Sequence, residues 1–137
     1  MSTRSLTSRW LPPLALMGLI FFLSAQPDLR SNLGLVDLVG RKVIHAAEYA
    51  LLCVLWWRAL CTVASRGAAI SLAFAISVGY AATDELHQTF VPGRHGSPVD
   101  VGIDAFGAAV AAFLLRRRLE RAHPAGEPVR ATASRAG

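Results

Sequence analysis

Five carboxylates, Glu48, Asp84, Glu85, Asp100 and Asp104, and two histidines, His45 and His87, lie within or just beside the apolar runs of this chain. Paired carboxylates can serve as general acid and base, and an imidazole can carry a proton near neutral pH. A carboxylate in hydrocarbon costs at least ~2.5 kcal/mol on insertion scales, so such groups face a protein interior and usually have a task. The chain carries a buried polar site.

The elements that must position these groups are apolar helices. Of the 137 residues 53% are hydrophobic and only 17% charged, and the mean hydropathy is +0.42, values that do not suit a small soluble domain in need of a charged surface. Four apolar runs, Trp10 to Ala25, Val43 to Leu60, Ala68 to Thr83 and Val99 to Leu115, each sit near the lower limit of the ~17 to 25 residues that span a bilayer. Helices longer than the apolar stretches resolve the shortfall. The third run has no breaker through Asp84-Glu85-Leu86-His87-Gln88 until Pro92-Gly93, so its polar end is predicted to be helical. Pro12 and Pro13 suit an opening turn, which predicts that the first helix begins around them. Cys53 and Cys61, eight apart in one run, are ~12 Å apart along a helix and too far to bridge. The predicted fold is all-α, an integral membrane bundle of four transmembrane helices over residues 1–121. A Pro-, Gly-, Ala-, Ser- and Arg-rich tail over 122–137 is expected to be disordered and drawn to anionic headgroups.

With the N-terminus inside, ten of the fourteen arginines and lysines fall on cytoplasmic segments, against Arg30, Arg41, Lys42 and Arg94 outside. Trp10, Trp56 and Trp57 then fall near the cytoplasmic interface. Both termini are expected inside, in a multi-pass protein of the cytoplasmic (inner) membrane. The competing reading of the first run is a secretory signal, since Arg4 and Arg9 precede an apolar core ending Leu23-Ser24-Ala25; the leucine fits the cleavage rule poorly, and a retained helix is preferred. The net charge of +5 could suggest nucleic acid, but the arginines cluster at the ends of apolar segments, and no nucleic-acid partner is expected.

This topology gathers the polar residues at one face. On the second helix His45, Glu48 and Tyr49 share a surface with Lys42 one turn earlier; on the third, Tyr80, Asp84, His87 and Gln88 form a stripe; on the fourth, Asp100, Asp104 and Gly107 align. The alanines and glycines from Gly102 to Ala112 let a neighbouring helix approach closely. The link Phe90-Val91-Pro92-Gly93-Arg94-His95-Gly96-Ser97-Pro98 demands turns and brings Arg94 towards the acids, either to neutralise them or to bind a phosphate or carboxylate.

The order Lys42-x-x-His45-x-x-Glu48-Tyr49, then Asp84-Glu85-Leu86-His87-Gln88-x-Phe90-Val91-Pro92-Gly93-Arg94, then Ser97-x-x-Asp100-Val101-x-x-Asp104-x-x-Gly107, resembles the VanZ-like membrane proteins. The likeness extends from Ser24-Ala25-Gln26 to Gly107, and its middle block is the most specific. One position departs: the family pattern often has asparagine where this chain has Asp104. The resemblance implies a small bacterial cell-envelope protein and a connection to susceptibility to teicoplanin-type glycopeptides. It supplies no agreed reaction.

Two functional classes follow. In the first, a membrane enzyme acts at the outer face on a lipid or lipid-linked cell-wall precursor with an anionic headgroup. Asp84 or Glu85 is then the base, His45 or His87 the proton carrier, Arg94 the phosphate clamp, and Asp100 the group that orients Arg94, with Glu48 among the catalytic set and Lys42, Gln88 and Asp104 helping to bind. Ser97 lacks a nucleophile's context, so activated water is the economical choice. A metal-dependent version would use His45, Glu48, Glu85, His87, Asp100 and Asp104 as donors for Zn, Mn or Mg, but there is no His-Glu-x-x-His and no cysteine cluster, and the cofactor stays unknown. In the second class the same groups bind or help to transport a lipid or other ligand without chemistry. A purely structural cluster, with pairs such as Arg94 with Asp100 or His45 with Asp84, would need fewer acids than five. Tyr49, Tyr80 and Phe90 fit packing or interfacial anchoring, and no task is expected of His95 or His123.

Overall fold

The structure, a computed structural model, describes residues 3–26 and 35–122, and side-chain environments within 7–26 and 39–122. It has four helices: α1 (Thr3–Ser24), α2 (Leu35–Leu60), α3 (Arg66–Gln88) and α4 (Pro98–Ala122). As expected, each runs past its apolar stretch, and α3 carries Asp84 to Gln88 on its last turns. Local chemistry sets the boundaries. Ser65 caps α3, its hydroxyl accepting from the Ala68 amide at 3.3 Å. Ser97 does the same for α4, accepting from the Val99 amide at 3.2 Å, and Pro98 takes the first helical position, where a missing N–H costs nothing.

The first helix departs from expectation. It begins at Thr3, with Pro12 and Pro13 inside it. Proline at position 12 cannot donate to the Ser8 carbonyl one turn back, and Arg58 of α2 donates to that carbonyl at 2.8 Å instead. A residue distant in sequence supplies the missing bond.

Helices α2, α3 and α4 pack against one another around Tyr49, Leu52 and Cys53, sealed by small residues: Ala69, Ala73 and Ala81 of α3, and Ala108 and Ala111 of α4. The approach is closest at Gly107, where a Cβ would collide with the backbone carbonyl of Ala46. Helix α1 lies against α2, touches α3 over a short stretch, and among the described residues makes no contact with α4. Cys53 and Cys61 are both free.

The outward surface is apolar. Leu11, Leu14, Phe21 and Phe22 of α1, Val43, Ile44 and Leu51 of α2, and Phe106, Phe113 and Leu114 of α4 are all exposed, the reverse of a soluble protein's arrangement. Among the described residues three helices are long and apolar enough to cross a membrane: Val39–Leu60, Arg66–Gln88 and Pro98–Ala122. Helix α1 is not one of them; Arg9 and the proline pair dilute its first half. Helix α4 reaches Ala122, and the rest of the 122–137 tail, with His123, lies outside the described residues.

Candidate functional site

The C-terminal ends of α1 and α3 and the N-terminal parts of α2 and α4 meet at one end of the bundle, and the polar residues there form two overlapping groups, with Glu85, Gln88 and Arg94 shared. The first is a lock that is buried at Asp84 and reaches the surface at Arg94. Asp84 accepts from the Ser24 hydroxyl at 2.5 Å and from the Gln88 amide at 3.3 Å. Arg94 donates to the Gln88 side-chain oxygen at 3.4 Å, and to the backbone carbonyls of Gln26 at 2.9 Å and Leu23 at 3.4 Å. The chain of bonds ties the α3–α4 link and α3 to the end of α1. Glu85 joins from the other side, accepting the Ser97 amide at 2.9 Å.

The link is as tight as its sequence requires. Val91 accepts from the Arg94 amide at 3.1 Å across a turn in which Gly93 sits at φ +80°, a conformation glycine adopts without strain. At Gly96 a Cβ would strike the Glu85 carbonyl and Thr89, so this segment lies directly on the end of α3.

The second group lines a cleft of about 230 Å³. Lys42, His45, Glu85, Gln88, Arg94, Asp100 and Asp104 all border it, as do Arg41 and His95, which sequence reasoning did not select. Lys42 and Asp100 form an ion pair at its mouth, each about one-third exposed. Asp104 lies at its base, 1% exposed, with neither carboxylate oxygen hydrogen-bonded among the described residues. The His45 ring lies beside it, Nδ1 3.7 Å from Asp104 Oδ1, within ion-pair reach but too long for a hydrogen bond. The Tyr49 hydroxyl, also buried, has no partner there either.

Several expected pairings are corrected by this geometry. Asp100 does not orient Arg94, because Lys42 takes it. Arg94 does not neutralise the acids; it holds the backbone carbonyls of Leu23 and Gln26 and the Gln88 side-chain oxygen, targets that suit a planar fork of donors. His45 faces Asp104 and not Asp84, whose oxygens are taken by Ser24 and Gln88. Asp84, Glu48 and His87 do not border the cleft. Glu48 is half-buried within electrostatic reach of His45 and Asp84, and the His87 ring stacks on Phe21 of α1 with centroids 4.3 Å apart. Tyr80 packs as expected, its hydroxyl donating to the Met17 carbonyl at 2.6 Å. His95, expected to have no task, lines the cleft because the turn at Gly93 folds it back. Ser24 was missed as a partner of Asp84, since nothing in a lone serine after an apolar run reveals a contact sixty residues away. Among the described residues no three His, Cys, Asp or Glu side chains are grouped to hold a metal ion.

An all-helical bundle with an apolar outer surface and a polar cleft enclosed at one end defines a small multi-pass membrane protein. The VanZ/LLP1 family model matches residues 9–119, and the chain belongs to that family. No curated relative and no solved structure matches it.

Proposed function

We propose that the cleft is the working site of a cell-envelope protein that takes the anionic headgroup of a lipid or lipid-linked cell-wall precursor and acts on it with water. The observation that carries this reading is the pair at its base. Asp104 is a buried carboxylate with no hydrogen bond among the described residues, beside an imidazole that borders open space. A structural carboxylate is normally saturated with donors, as Asp84 is, whereas an unsatisfied one 3.7 Å from an imidazole would orient that ring as a base once the pair closes to hydrogen-bond distance. His45 would take the proton of the attacking water, with Asp104 stabilising the charged ring. Arg41, Lys42 and Arg94 border the cleft alongside Glu85 and Asp100 and would supply the cations for a phosphate or carboxylate.

Four transmembrane spans fit this reading, because α1 exposes an apolar face, Leu14 to Leu23, although its first half is diluted. Both termini on the cytoplasmic side follow from the arginine asymmetry, which puts the cleft at the outer face of the inner membrane, where an envelope precursor is met. A link to teicoplanin-type glycopeptide susceptibility would then be a consequence of altered precursor chemistry. The second reading, a non-enzymatic lipid-binding or transport-accessory protein, is favoured by the engagement of Asp84 and Glu85 in fixed hydrogen bonds, which leaves a single acid–histidine pair for chemistry.

The test compares envelope lipids and lipid-linked precursors, by mass spectrometry, in cells making the wild type or Asp104→Asn at equal abundance. A species altered by the wild type and not by the variant supports the enzyme. Identical extracts, with the same lipid co-purifying on the wild type alone, support the binder.

A further inference from the structure

At the end of the bundle away from the polar cleft, a second and larger cavity of about 820 Å³ opens between α2 and α4. Its walls include Ala50, Val54 and Trp57 from α2 and Val110 and Leu114 from α4, all apolar. Its rim is different in kind: Arg117, Arg118 and Arg121, with no carboxylate among the described residues that border the cavity. The Arg117 guanidinium lies 5.1 Å from the centroid of the Phe113 ring, a contact that holds the cation at the groove's mouth. None of the three arginines forms an ion pair among the described residues.

The dimensions fit one leaflet. From Val110 to Arg121, α4 rises ~16 Å at ~1.5 Å per residue, close to half of a ~30 Å hydrocarbon core. The groove therefore runs from mid-bilayer depth to the level of the headgroups, with cations only at its outer end. A second copy of this chain would bring the same arginines against these, and an uncharged helix would leave them without a counter-ion. An occupant with an apolar chain and an anionic head satisfies both halves.

We propose that the α2–α4 groove is a binding site for an anionic phospholipid, with one acyl chain along Val54, Val110 and Leu114 and its phosphate on Arg117, Arg118 and Arg121. The site is separate from the polar cleft and does not depend on the reaction proposed there. Trp57, in the groove wall, reports its occupancy.

The experiment places the full chain, with Trp10→Phe and Trp56→Phe, in phosphatidylcholine bilayers and titrates in acyl-brominated phosphatidylglycerol or acyl-brominated phosphatidylcholine while following Trp57 fluorescence. Quenching by phosphatidylglycerol should half-saturate at a mole fraction on the order of tenfold lower, given ~5-fold attraction per arginine near a surface and some loss to screening. Arg117→Gln/Arg118→Gln/Arg121→Gln should abolish that preference, and so should Val54→Phe, which fills the groove and leaves the arginines in place. Equal quenching by the two lipids overturns the proposal. So does a Val54→Phe chain that keeps the full preference, because the headgroups then gather at the surface without a chain in the groove. The unsubstituted protein gives a second reading: released from mixed micelles in native mass spectrometry, it should retain phosphatidylglycerol over phosphatidylcholine, and indifference between them again overturns the site.

Discussion

Asp84 and Asp104 are carboxylates buried at the same end of the bundle, and their surroundings differ. Asp84 takes hydrogen bonds from Ser24 and Gln88, so Asp84→Ala removes two buried hydrogen bonds and should cost about 1–3 kcal/mol, read as a lower unfolding midpoint in detergent. Among the described residues no donor reaches Asp104, and Asp104→Asn should leave stability unchanged or raise it while function falls on the order of 10²-fold, the usual contribution of positioned acid–base groups. A variant equally damaged in both properties would place Asp104 among the structural residues. This division was only half legible in the sequence. Insertion cost alone marked the five acids and two histidines as a set, and Asp104 stood out as a charge where the family pattern often has asparagine. Which acid was satisfied and which was not depended on Ser24 and on the path of Arg94, contacts across sixty residues or more that no local spacing encodes.

Helix lengths and small-residue placement were readable because both answer to local rules: apolar length, the absence of a breaker before Pro92, and alanine and glycine where a neighbour must come close. Gly107 and Gly102 on α4 separate packing from propensity. A side chain at 107 meets the Ala46 carbonyl of α2, so Gly107→Ala should destabilise by about 1–3 kcal/mol, whereas Gly102→Ala, with open space around it, should be neutral or stabilising by up to about 1 kcal/mol. Paired thermal melts check the contrast. The start of α1 was misread because Pro12 and Pro13 were judged by their own helix alone, and Arg58 of α2 satisfies the carbonyl that proline leaves bare. Arg58→Leu removes that donor, and amide exchange in α1 should quicken while exchange in the α3–α4 core stays slow. Equal protection in the wild type and Arg58→Leu would mean that α1 is held by its apolar face alone.

For the whole molecule, polarity is distributed along the bundle axis: an apolar flank, an arginine- and tryptophan-rich end, and an end where polar groups close around a cleft. The excess of arginine at the first of these ends sets the expected orientation. Single cysteines placed at His95 and at Arg121, in a chain with Cys53→Ala and Cys61→Ser, should react with an impermeant thiol reagent in opposite ways, position 95 in intact cells and position 121 only after permeabilisation. The reverse pattern would put the cleft on the cytoplasmic side. The most direct measurement of the central claim, that the cleft carries out chemistry on an anionic lipid headgroup, uses purified protein. The wild type, Asp104→Asn and Arg117→Gln/Arg118→Gln/Arg121→Gln, each shown to be folded, are incubated in separate vesicles with an envelope lipid extract, and the lipids are identified by mass spectrometry before and after. A lipid species converted by the wild type and by the arginine variant, but not by Asp104→Asn, is the expected result; the same conversion by all three proteins, or by none, would contradict a catalytic cleft built on His45 and Asp104.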